Sequence, residues 1–139
     1  DGILSYTLGV RSLDGSGPHA REVQLAGPSS EEVRRQNTPI TFTLTNSDTP
    51  VATDPGLHPQ DVTAYVRSDI YRLSVTAGGS GWSAELLNAL AAVEAGEAEE
   101  ITVYVSKEPG ADPSGTVTLM ATSESDPSKT TAVTLAVSG

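Results

Sequence analysis

The sequence predicts an all-β chain folded as an antiparallel sandwich, and three observations carry the prediction. Apolar residues recur every second position in several runs: Ile40, Phe42 and Leu44; Tyr71, Leu73 and Val75; Ile101, Val103 and Val105; Val117, Leu119 and Ala121. A period of two buries one face of a strand and leaves the other wet. Thirteen glycines and nine prolines lie between these runs, as a chain with many turns requires. With no cysteine and with one tryptophan and one phenylalanine, the core is aliphatic and carries no disulfide.

Residues 3–10 place Leu4, Tyr6, Leu8 and Val10 on one face and read as a strand. The dense turn signal Asp14-Gly15-Ser16-Gly17-Pro18 follows, and residues 1–20 form an N-terminal extension. Residues 21–26 give a short strand around Val23 and Leu25, broken by Gly27-Pro28. Ser29 to Gln36 is polar and reads as a solvated loop with one helical turn capped by Ser29 or Ser30. Residues 39–46 are the cleanest strand, with Pro39 at the first position, where a strand tolerates it.

Residues 46–68 are too long for a hairpin loop and form an insertion stiffened by Pro50, Pro55 and Pro59. Pro59 suits the first position of a short helix over residues 60–66. The Tyr71 strand comes next, then the Gly78-Gly79-Ser80-Gly81 turn and Trp82, expected to face inward. Residues 82–87 read as a strand, 88–97 as an irregular crossing between sheets, and 99–106 as a strand. Leu86, Leu90 and Val93 also match helical spacing, so a helix over 83–97 competes with that reading. Strands at 116–123 and 129–137 close the domain around a turn in which Pro127 takes the second position. Residues 1–139 therefore form a single domain with about seven core strands and an extra N-terminal one.

The formal charge of −10 repels phosphate backbones and anionic lipid, so neither nucleic acid nor membrane is an expected partner. No stretch has the length of a transmembrane helix. Abundant Ser and Thr on strands, few lysines and no cysteine fit a secreted module.

The candidate chemistry is sparse. His19 and His58 are the only imidazoles, and both read as solvated loop residues; no Gly-x-Ser-x-Gly elbow accompanies them. His58, Asp61 and Asp54 form a thin zinc-like cluster. Calcium is the stronger metal candidate: Asp48, Asp54, Asp61 and Asp69 flank the insertion, and loop carbonyls would complete an oxygen shell. The competing expectation is that these aspartates only fix turns, with no cofactor bound. Glu94, Glu97, Glu99 and Glu100 sit in one run at a strand start, where solvation explains them better than glycoside cleavage does. For a binding role, Tyr104 on the outer face of its strand, with Tyr65 and His58 of the insertion, offers a platform for polysaccharide or cell wall.

The segments Ile40 to Asn46, Tyr71 to Val75, Gly81-Trp82, Ala95-Gly96-Glu97 before Ile101 to Val105, and Ser123 to Val137 together resemble the Ig-like domains appended to secreted bacterial hydrolases, the group that includes CARDB and fibronectin type III-like modules. The resemblance implies an Ig-like β-sandwich. It further implies a non-catalytic, extracellular accessory domain, a spacer or docking module whose partner is a neighbouring domain of the same longer chain, such as a peptidase or glycosidase. The alternative is a carbohydrate- or cell-wall-binding module. The chain departs from the family pattern in the length of the 46–68 insertion and in the strand at 3–10.

Overall fold

A computed structural model describes residues 19–52, 55–56 and 67–139. The strand expected at 3–10 and the short helix expected at 60–66 lie outside the described residues. Among the described residues nine strands follow in order: β1 (Val23–Ala26), β2 (Ser30–Glu32), β3 (Thr38–Asn46), β4 (Ser68–Gly78), β5 (Trp82–Leu86), β6 (Leu90–Glu94), β7 (Ala98–Lys107), β8 (Ser114–Ser123) and β9 (Thr130–Ser138). They form two sheets, one ordered β1-β3-β7-β5 and the other β2-β9-β8-β4-β6. This is the sandwich that the alternating runs predict.

The inward residues are those the period of two selects. Ile40, Phe42 and Leu44 of β3 face Tyr71 and Leu73 of β4, with Ile101, Val103 and Val105 of β7 beside them in the first sheet. Val117, Leu119 and Ala121 of β8 and Leu135 and Val137 of β9 complete the second inner face. These side chains are buried without help from another chain, so the domain carries its own core. The threonines on the outer faces also pair, as Thr118 with Thr134 and Thr122 with Thr130 across β8 and β9.

Trp82 faces inward as expected and is 7% exposed. Its indole Nε1–H donates to the Asp112 carbonyl at 3.1 Å, so the ring's one polar atom is satisfied. The Lys107 ammonium lies 5.6 Å from the ring centroid. Gly81, with φ 77°, turns the chain into β5; a Cβ there would meet Ala111 at 2.6 Å. At the other end of the chain, Lys129 N–H donates to the Asp126 carbonyl at 2.8 Å, closing the expected turn around Pro127.

Two sequence expectations are corrected. Residues 30–32 are not a helical turn but β2, which runs parallel to β9 in register Ser30–Ala136 to Glu32–Ser138. Gly27-Pro28 lets the chain leave the first sheet after β1 and join the edge of the second. Gly27 sits so close to the Phe42 ring that an added Cβ would fall 2.4 Å from it. An edge strand pairs through its backbone alone, so its three exposed side chains leave no apolar period to read. Residues 88–97, expected as an irregular crossing, contain β6, which pairs antiparallel with the start of β4. The helical alternative over 83–97 fails with it. Ala91 and Val93 are buried while Leu90, Ala92 and Glu94 face out, a period of two. The long β4 extends an open edge at Ser68–Arg72, and that edge recruits β6.

Candidate functional site

Two regions gather polar or exposed chemistry. The first is the pole where β3 ends and β4 begins. Asn46, the last residue of β3, is fully buried. Its Nδ2 donates to the Val93 carbonyl at 2.8 Å and its Oδ1 accepts from Asp48 N–H at 2.9 Å. Asp48 accepts from the Arg21 guanidinium at 2.7 Å, with both side chains wholly buried, and from Glu22 N–H at 2.9 Å. Asp69, on the inner face of β4, accepts from the Ser123 hydroxyl, from the Ser125 hydroxyl at 2.7 Å and from Ile70 N–H at 2.8 Å. Each carboxylate thus ties the start of one strand to the end of another, by charge-assisted bonds that burial strengthens.

The Tyr71 hydroxyl, which feels the charges of both carboxylates, is buried and without a hydrogen-bond partner among the described residues. Burial, with the charges of Asp48 and Asp69, pushes this phenol above its ordinary range, and Arg21 offsets part of the effect. His19, expected as a solvated loop residue, is instead buried. Its Nδ1 accepts from Val51 N–H at 2.8 Å, beside the Ala20–Thr49 bridge that fastens the beginning of the insertion to the chain before β1. A backbone bridge of this kind has no signature in side-chain order.

Of the calcium candidates, the structure places Asp48 and Asp69 at this pole, each with its oxygens engaged as above. Asp54 and Asp61 lie outside the described residues, as do Tyr65 and His58. Among the described residues no three His, Asp or Glu side chains gather as a metal-binding group. Glu94, Glu97, Glu99 and Glu100 are all exposed to solvent.

The second region holds Tyr104, which is half-buried. It lies on the outer face of β7 opposite Glu85 of β5. A groove of about 220 Å³ opens beside it, floored by Leu73, Leu86 and Ile101 and bordered by Leu90, Glu99 and Glu100. Leu87, in the short link from β5 to β6, is 83% exposed, and Leu90 is 47% exposed. Sequence reading placed Tyr104 on an outer face but missed the groove, because the residues forming it come from four strands and two sheets. The Leu86-Leu87 pair just before Asn88, of which Leu87 is exposed and Leu86 half-buried, was the available signal.

Residues 22–139 match the Peptidase M6-like domain family. A "putative secreted metallopeptidase" of the fungus Arthroderma benhamiae is 46% identical over 134 residues, covering 92% of this chain and 20% of the relative. The chain therefore spans about one fifth of the length of that relative. Among solved structures, an ASH/PapD-like domain of human CEP192 superposes with a TM-score of 0.51 at 8% identity, over 100% of this chain and 96% of that one. That likeness concerns the fold alone, a two-sheet sandwich. The relative's name places it outside the cell, which agrees with the secreted setting expected from composition. With a family match that runs from the residue before β1 to the last residue, the chain belongs to the Peptidase M6-like domain family.

Proposed function

We propose that the chain is a non-catalytic accessory domain of a larger secreted hydrolase, a peptidase by its family, and that it works as a docking module for the rest of that polypeptide. The observation that carries this reading is one of share and self-sufficiency. The chain corresponds to one fifth of a relative named as a metallopeptidase, and that fifth folds around a core of its own. The buried charged groups support it. Arg21, Asp48 and Asp69 spend their hydrogen bonds on joining strand ends, the work of a scaffold. The resemblance to CARDB and fibronectin type III-like modules is read with this as shared Ig-like sandwich architecture.

The test uses the isolated chain and the parent protein. The isolated chain, with zinc or calcium added, should cleave neither casein nor a short fluorogenic peptide. A parent lacking residues 22–139 should keep its kcat on the short peptide while losing secreted yield or thermal stability. Hydrolysis by the isolated chain would overturn the reading. So would a folded deletion variant with no turnover of the short peptide.

A further inference from the structure

The strand β7 outlasts its neighbour. It pairs with β3 along Ala98–Val105 but with β5 only along Val103–Lys107. After Leu86 the chain leaves the first sheet and crosses to the second as β6. On its β5 side, the stretch Ala98–Thr102 of β7 therefore has no ladder partner among the described residues. An unpaired backbone edge of this kind is a template for an added strand. It lies directly on the groove described above, whose floor is apolar and whose exposed leucines, Leu87 and Leu90, stand at its mouth. Glu99 and Glu100 border the groove, Glu85 stands beside Tyr104, and among the described residues no lysine or arginine lines it.

We propose that this groove docks an extended segment of the parent polypeptide from outside the present chain, one in which apolar residues alternate with lysine or arginine. The unpaired edge calls for an extended backbone. A period of two sends one set of side chains inward onto Leu86 and Ile101 and the other set to the outer face, beside Glu100 and Tyr104. The charge of the rim, on a domain of net charge −10, selects a cationic segment and repels an anionic one. The source is the parent because the chain is one fifth of its relative, so most of such a polypeptide lies beyond it. The proposal rests on the docking reading above and names its surface.

Two measurements test it. First, the 139-residue chain is titrated by NMR with an octapeptide alternating valine and lysine, and with its valine–glutamate counterpart. The cationic peptide should bind saturably, shift the amides of Ala98–Thr102 and weaken as salt rises. The pair Glu99→Lys and Glu100→Lys should weaken it by at least about threefold, and Leu90→Ser, which removes apolar contact without changing charge, should weaken it measurably as well. Equal binding of the anionic peptide, shifts confined to another face, or indifference to both variants would overturn the proposal. Second, a photo-crosslinking residue replaces Leu87 in the full-length parent. A link within one molecule to a segment outside this domain is expected; links only between molecules, or none, would refute the assigned source. The outcomes separate from those of the deletion test. A parent destabilised by losing the domain but giving no crosslink at Leu87 keeps the docking role and sinks this groove. A crosslink in a parent indifferent to the deletion does the reverse.

Discussion

Removing the Arg21 side chain is the sharpest test of the polar pole. Arg21 and Asp48 are wholly buried and meet at 2.7 Å. Taking either charge out of water is costly, and the partner and added hydrogen bonds offset that cost. In Arg21→Met the Asp48 carboxylate stays buried and keeps Glu22 N–H. Breaking such a pair from one side costs about 3–5 kcal/mol. Asp48→Asn preserves an acceptor for Glu22 N–H but removes the charge that faces the buried guanidinium, and should also lose several kcal/mol. The double variant removes both charges together, so its loss should fall short of the sum of the single losses by about 2–3 kcal/mol. Urea unfolding followed by Trp82 fluorescence reads these values, provided the slope m is unchanged between variants. A loss below about 1 kcal/mol for Arg21→Met, or additivity within about 0.5 kcal/mol, would refute the account of this pair as the clasp between β1 and the end of β3.

Three further outcomes are expected. Trp82→Ala should lose about 3–5 kcal/mol in a chemical denaturation curve, because the ring is core and its indole N–H holds the Asp112 loop; a loss under about 1 kcal/mol would make the ring a surface element. Tyr71→Phe should change stability near neutral pH by less than about 1 kcal/mol, since the hydroxyl has no partner among the described residues. The phenol's folded-state pKa is raised above the ordinary value of 10.0, so the folded state retains a proton that the unfolded state sheds. Stability from this group is full below that value and falls as pH rises above it, and Tyr71→Phe should lessen the alkaline loss in melts taken across that range. Chelator should leave the melting temperature unchanged, because Asp48 and Asp69 already spend their oxygens on Arg21, Glu22, Ser123 and Ser125; a clear fall would bring calcium back as a ligand.

The amino-acid order alone determined the sandwich and most of its core. Phe42, Leu73, Trp82 and Val103 are buried as their alternation and their flanking turns require. A strand with one wet face writes its burial into the sequence at a period of two, and a turn writes itself through Gly, Pro and Asp. Tertiary structure decided what is carried by backbone and by long-range pairing. The edge strand β2 shows no period because only its main chain is used, and β6 imitates a helix until β4 offers it an edge. Asp48 and Asp69 look like turn residues in sequence. They become structural charges because Arg21 lies 27 positions away from Asp48, and Ser123 and Ser125 lie 54 and 56 away from Asp69. The groove beside Tyr104 exists only because β5 stops short of β7 and the chain changes sheets there, a difference in strand length that no local pattern encodes.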